Sequence, residues 1–128
     1  MLELAVTAPV VLLVLFGAAD FGRMFSTAVT VANASAAGAL YATASPTNAT
    51  DTAGIAAAAT QDAADLTGVS VSSVTTCRDS GGNTTSCSTP GSSMRVSVTA
   101  SYTFNTMFNY PLIPNSVRLQ DTATVRVR

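Results

Sequence analysis

The feature that most constrains this chain is an uncharged apolar segment near its start. Residues 4–19 carry no charged side chain, and no further charge occurs between Arg23 and Asp51. The pattern predicts one helix over about residues 2–43, ended by Pro46, because proline disfavours helix at the residue before it. At ~1.5 Å per residue this helix is roughly 60 Å long, which far exceeds the ~30 Å hydrocarbon core of a bilayer.

The predicted helix is apolar on nearly every face, so it must be buried on all sides. Residues 45–128 are too few to cover it, since a part of that size is marginal even for its own core. We therefore expect two parts, a hydrophobic helix over 1–44 and a small globular α+β domain over 45–128. Small residues at helical spacing allow helices of different copies to approach closely. The candidates are Ala18, Gly22, Ala28, Ala32, Ala36 and Gly38.

A second, shorter helix is predicted over residues 52–66. Either Thr50 or Asp51 is suited to cap its start, since both side chains accept hydrogen bonds from free backbone N–H groups. Gly68 is suited to cap its end, because glycine tolerates the left-handed conformation found there.

The remainder of the chain predicts a small antiparallel sheet. Apolar and polar residues alternate over 69–77, 94–104 and 117–127, which is typical of half-buried strands. A slip in the alternation at Val74 predicts a bulge in the first strand, and a fourth strand is the alternative to three. Residues 105–116 form a loop whose apolar side chains are expected to fold back onto a helix or a neighbouring subunit. These side chains are Phe108, Tyr110, Leu112 and Ile113.

The two cysteines, Cys77 and Cys87, flank a polar, glycine-rich loop. A disulfide closing this loop would contribute about 3 kcal/mol and fits an oxidising compartment. The alternative is two free thiols or half a metal site, but a zinc site lacks ligands in a chain without histidine. The predicted fold class is therefore α+β, a long N-terminal hydrophobic helix followed by a short helix and a small disulfide-bonded antiparallel sheet.

Charge and composition argue against several classes of function. Six basic and seven acidic side chains give a net charge of −1, and there is no histidine. The absence of a basic stripe argues against nucleic-acid binding, and the absence of an acidic cluster argues against a tightly held hard cation. No usual general base near neutral pH and no nucleophile–base motif occur. We expect neither an enzyme nor a cofactor or metal.

The start of the chain contains a recognisable combination of residues. Glu3 precedes the apolar run, Ala5 follows two residues later, Pro9 lies within the next turns, and the run ends on Asp20-Phe-Gly-Arg23. In these features about the first 42 residues resemble the TadE-like family of pilins and pseudopilins. The small residues around Gly38 also look like the family, although the charges that are common there are missing.

The resemblance implies an inner-membrane precursor with a cleaved leader, a prepilin peptidase and tight-adherence-type assembly machinery. Because no basic residue precedes the apolar run, we expect Met1 to start the mature chain, with Met1 as the translated start as the alternative. By resemblance to pilins, Glu3 pairs with the α-amino group of Met1, its own or a neighbour's, and sets the axial register. The alternative places Glu3 at a membrane interface or favourably near a helix N-terminus.

Other polar or special residues have more than one interpretation. Asp20 and Arg23 form either a weak surface pair within the helix or a buried pair that specifies register inside a bundle. Pro9 removes a backbone hydrogen bond and is expected to kink or loosen the first turns. Asn48 and Asn83 begin glycosylation triplets, which a chain rich in serine and threonine also produces by chance.

These observations lead to one main functional hypothesis, a structural pilin subunit. It would form a homo-oligomeric, extracellular helical filament through its N-terminal helix, after a membrane-bound precursor stage. The alternative is a minor pseudopilin that stays anchored in the inner membrane and primes or scaffolds the assembly machine. An adhesin is a third hypothesis, which needs an exposed aromatic patch from Tyr102, Phe108 and Tyr110, residues more often found in cores.

Overall fold

A computed structural model describes residues 2–108 and 114–127, with side chains from Val6 onward. Three helices precede four strands along the chain. The helices are α1 (Leu2–Thr43), α2 (Pro46–Thr50) and α3 (Thr52–Asp62), and the strands are β1 (Ser70–Arg78), β2 (Thr84–Thr85), β3 (Ser93–Asn105) and β4 (Ser116–Val127). The strands form one antiparallel sheet in the order β2-β1-β3-β4. The predicted α+β fold class is confirmed.

Helix α1 has the predicted bounds and continues through Pro9. It ends before Ser45, whose backbone is extended with φ −161° and ψ 159°. The Ser45 hydroxyl accepts a hydrogen bond from the backbone N–H of Asn48 at 3.1 Å, and Pro46 occupies the first turn of α2, where proline needs no donor. The residues that were predicted to break the first helix therefore also start a second one, α2, which was not predicted.

Helix α3 begins at the predicted residue but ends early. Asp51 is its N-cap and accepts a hydrogen bond from the N–H of Gly54 at 2.9 Å. The helix ends at Asp62, and the Leu66 N–H then bonds to the carbonyl of Ala63 at 2.9 Å in a turn. This turn still packs Leu66 against the core. The predicted end near Leu66 is thus wrong, and Gly68 is not a helix cap but a residue with φ 92° just before β1.

The three predicted strands are present with nearly the predicted bounds. Pairing between β1 and β3 is continuous from Ser70 with Ser101 to Arg78 with Ser93, so the predicted bulge is wrong. Val74 keeps the alternation and simply faces outward, 60% exposed. The fourth strand is the two-residue β2, which pairs with the end of β1.

The core lies between the inner face of the sheet, α3 and the C-terminal half of α1. Two clusters of buried residues share this interface, and α1, α3 and β3 contribute to both. Their α1 members are Val31, Ala34, Ala39 and Ala42. Residues 31–42 of the long helix therefore belong to the same core as the domain that follows them.

Candidate assembly surface

The N-terminal half of α1 is an apolar surface that the domain does not cover. Val6, Phe21 and Phe25 are each at least 65% exposed, although such side chains are usually inside a folded protein. The segment Val6–Thr43 is, by length and composition, long and apolar enough to cross a membrane. We define the bare surface by its large exposed side chains. These are Val6, Val10, Val11, Leu12, Leu13, Val14, Leu15, Phe16, Phe21 and Phe25.

The small residues of α1 fall into two environments. Ala18, Gly22 and Ala36 are exposed, and a methyl group added at Gly22 would have no atom within 4 Å. Ala28 and Ala32 are half-buried. Gly38 is buried inside the subunit, where an added Cβ would lie 3.0 Å from Cγ1 of Val98 and 3.3 Å from Cβ of Ala59. Gly38 therefore packs against its own domain. The spacing of small residues in the sequence predicts instead a position on a surface that contacts other copies.

An apolar groove of about 380 Å³ lies where α1 leaves the domain. One wall is the bare surface of the helix and the other is the end of the β3–β4 hairpin. The groove is open along its length and continuous with the bare surface, so both form one region that needs an apolar cover. Its lining residues are Leu13, Val14, Gly17, Asp20, Phe21, Met24, Phe104, Thr106 and Val117.

Asp20 is the one charged residue among the described residues that line the groove, and it is only 5% exposed. Its carboxylate pairs with Arg23, with Nη1 and Oδ1 3.0 Å apart. The backbone N–H of Met107 also donates to both carboxylate oxygens, at 3.2 and 3.1 Å. The guanidinium of Arg23 lies 5.4 Å from the centroid of the Phe104 ring, within the range of a cation–π contact. Asp20 therefore ties the helix to the loop after β3.

The Asp20–Arg23 pair is predictable from the sequence, but its connection to Met107 is not. The partner is a backbone N–H 87 positions away along the chain, so no local pattern points to it. The structure shows the pair within one helix, with the Arg23 side chain half-exposed and the Asp20 side chain buried. Its role in setting register stays a prediction.

The loop after β3 folds back onto α1 as expected for Phe108. The rings of Phe16 and Phe108 have centroids 4.6 Å apart at an angle of 34°. Tyr102 packs against a core cluster, so these two aromatics contact other parts of the subunit. Tyr110, Leu112 and Ile113 lie outside the described residues, as do Met1, the side chain of Glu3 and hence the predicted register contact.

The predicted disulfide between Cys77 and Cys87 is confirmed, with Cα atoms 5.1 Å apart. Within the loop it closes, Asp79 Oδ1 accepts a hydrogen bond from the Asn83 N–H at 2.8 Å. This bond, favouring the charged form, lowers the pKa of the Asp79 carboxyl below its usual value. The bridge thus joins the end of β1 to a loop that is itself ordered by hydrogen bonds.

The two candidate glycosylation sites differ in their surroundings. Asn83 is exposed, and its side-chain amide donates to Asp79 Oδ2 at 3.4 Å. The Asn48 side chain accepts a bond from the Ser45 hydroxyl at 2.9 Å and donates to the Tyr41 carbonyl at 3.4 Å. Asn48 is thus engaged at the start of α2, and Asn83 is the more accessible of the two. Modification of either residue stays a prediction.

Fold and surface together define a long apolar N-terminal helix that carries a disulfide-bonded β domain on its C-terminal half. Residues 1–40 match the family model described as TadE-like protein. The match covers most of α1 and confirms the resemblance predicted from Glu3 to Arg23, whereas the sheet lies outside it. No significantly similar chain was found among curated proteins or solved structures. The match and the apolar helix fit a pilus-related protein.

Proposed function

We propose that this chain is a structural pilin subunit that polymerises through α1 into an extracellular helical filament. The observation that carries the proposal is the division of α1 into two halves. The half over residues 31–42 is built into the domain core, and the half over residues 6–25 is left bare beside an apolar groove. Exposed apolar patches beyond a few hundred Å² are rare on soluble monomers and mark interaction surfaces.

Two environments can cover this surface in succession. Residues 6–25 form about 30 Å of helix at ~1.5 Å per residue, which matches the hydrocarbon core of a bilayer. A membrane therefore suits the precursor. In a filament the same surface contacts the helices of neighbouring copies, and the exposed small residues Ala18 and Gly22 allow a close approach there.

The disulfide supports an extracytoplasmic location for the domain, because such bonds persist in oxidising compartments. In the proposed pathway a prepilin peptidase removes a leader from the membrane-bound precursor, and inner-membrane assembly machinery then transfers the subunit into the filament. Homo-oligomerisation, these partners and the location at the cell surface are parts of the proposal.

The second candidate is a minor pseudopilin that remains in the inner membrane and scaffolds the assembly machine. The specific observation in its favour is the length of the bare helix. The uncharged run over residues 4–19 gives about 24 Å of helix at ~1.5 Å per residue, and the Asp20–Arg23 pair follows it, where a membrane surface would lie. A subunit of this kind would need only lipid to cover its helix.

Shearing intact cells and separating released material from membranes distinguishes the two candidates. We expect this chain in the sheared fraction, in filaments that negative-stain imaging resolves and antibodies against the chain decorate. Ala18→Leu should reduce filament yield, because a larger side chain keeps helices apart, while the total amount of the chain is unchanged. The matched control is Thr47→Leu, which adds bulk at an exposed position of α2. A chain found only in the inner membrane contradicts the filament proposal.

A further inference from the structure

The outer face of the sheet, which is turned away from α1, carries a cluster of arginines at one end. Arg95 on β3 lies directly opposite Arg126 on β4. Arg78 extends the cluster on β1, where the adjacent outward residue, Thr76, pairs with Arg95. All three arginines are exposed. Like charges directly opposite each other on a sheet are destabilising, so this arrangement is unfavourable within a single subunit.

No carboxylate in the described part of the chain forms an ion pair with this cluster. Among residues 2–108 and 114–127, no carboxylate lies within 4.0 Å of the guanidinium nitrogens of Arg95 or Arg126. Arg78 donates to the carbonyl of Gly82 at 2.9 Å, and the neighbouring Asp79 is engaged by Asn83. Arg78 and Arg95 border a polar depression of about 450 Å³. Its lining residues are Thr76, Arg78, Gly82, Arg95, Ser97 and Thr124.

Charges of the opposite sign are collected on the other side of the sheet. Between Arg23 and Arg78 the chain has acidic residues but no basic one. Asp62 is the last residue of α3, where the helix dipole disfavours a negative charge, and Asp65 follows in the next turn. Both are exposed. Since α3 packs against the inner side of the sheet, these acids cannot reach the outer arginines of the same subunit.

We infer that Arg95 and Arg126 of one copy bind Asp62 and Asp65 of a neighbouring copy. Guanidinium groups suit this role because they bind carboxylates with two parallel hydrogen bonds. The two surfaces differ, so the contact is head-to-side, and such contacts repeat along an open helical polymer. The inference rests on the proposed function and deepens it. The apolar surface of α1 is uniform and does not by itself fix how neighbouring copies are aligned, whereas complementary charges fix both the register and the choice of partner.

Charge reversal in the full-length chain, in cells that assemble it, tests this contact. The double variant Arg95→Glu/Arg126→Glu and the double variant Asp62→Arg/Asp65→Arg should each lower the yield of sheared filaments by roughly tenfold or more, because like charges then face each other. The chain that carries all four substitutions should recover most of the yield, since its surfaces are complementary again.

Two controls separate assembly from folding. The variant Gln120→Glu/Ser116→Glu places acids at exposed positions of the same outer face, towards the opposite end of β4, and should assemble like the unmodified chain. Total chain and its disulfide, measured by immunoblot of whole cells under non-reducing conditions, should be equal in all variants. All substituted residues are exposed, so the fold should persist.

The possible results are distinguishable. Normal filament yield from either reversed double variant overturns the inference, and so does a loss that the fourfold exchange does not restore. A further possible result is that the Arg95→Glu/Arg126→Glu variant forms normal filaments that no longer bind anionic lipid vesicles. That result would also overturn the inference, because the arginines would then bind a polyanionic surface and not a neighbouring copy. Absence of filaments from the unmodified chain contradicts the proposed function itself.

Discussion

The hydroxyl of Ser35 donates a hydrogen bond of 2.5 Å to Oδ2 of Asp121, across the contact between α1 and β4. Ser35 is fully buried, and its hydroxyl also lies 2.8 Å from the carbonyl of Ala32. Asp121 interrupts the inward-facing apolar residues of β4. The interruption marks the place where the strand is held to the helix by a polar contact.

Removing the donor at this contact should destabilise the domain. Ser35→Ala leaves the carboxylate of Asp121 without its buried partner, so the free energy of unfolding should fall by about 1–3 kcal/mol. The double variant Ser35→Ala/Asp121→Val should lose less than the sum of the two single variants, because residues in contact are coupled. Urea unfolding in detergent, followed by circular dichroism, measures all three. Strictly additive losses would show that the contact does not stabilise the fold.

The two environments of glycine in α1 predict opposite effects of the same substitution. Gly38→Ala should destabilise the subunit, because the added methyl group meets Val98 and the backbone carbonyl of Ile55 at 3.0 and 3.2 Å. Gly22→Ala adds a methyl group in open space and should stabilise the isolated helix by up to about 1 kcal/mol. Thermal unfolding of both variants in detergent compares them. An equal effect at the two sites would contradict the assigned environments.

Loss of the Asp20 carboxylate should release the loop after β3 from α1. In Asp20→Ala the N–H of Met107 has no acceptor at this point, so its exchange with deuterium should become faster. Asp62→Ala is the matched control, since it removes an exposed acid from another surface. Hydrogen-exchange mass spectrometry of the peptide that contains Met107 provides the measurement. Unchanged exchange in Asp20→Ala would mean that Phe108 alone holds the loop.

Acid should weaken the domain partly through the cap of α3. The Gly54 N–H, and then the Tyr41 hydroxyl, stabilise the charged Asp51 carboxyl and lower its pKa below the ordinary 3.8. The stabilisation is therefore present above that value and is lost as the pH falls through the lower pKa of the folded state. Asparagine at position 51 still caps a helix but does not titrate. The melting temperature of Asp51→Asn should therefore fall less between about pH 6 and about pH 3 than that of the unmodified chain. Equal losses would assign acid sensitivity to other carboxylates.

Regular patterns made much of the fold predictable. The bounds of α1 and the strands β3 and β4 follow from long stretches of uniform hydropathy or strict alternation, which leave few competing structures. Helix α2 was missed because it has only five residues and depends on the Ser45 cap. The end of α3 was misplaced because apolar spacing does not distinguish a helical turn from the tighter turn at Ala63.

The candidate site was only partly predictable for a similar reason. The apolar surface of α1 and the disulfide are visible in the sequence, since each is local. The contact between Asp20 and Met107 joins residues that are far apart in the chain, and the opposition of Arg95 and Arg126 requires the register of two strands. Neither relationship exists before the sheet is formed.

The participation of residues 31–42 in the core has a consequence for protein engineering. The sheet cannot be transplanted onto a foreign stalk at the loop around Ser45, because such a chimera would lack the wall formed by Val31, Ala34, Ala39 and Ala42. The suitable splice point lies within the uninterrupted helix, between Phe25 and Val31, where the exposed half ends. A graft made there would keep all four of these core residues with the sheet and would replace only the exposed apolar half of α1.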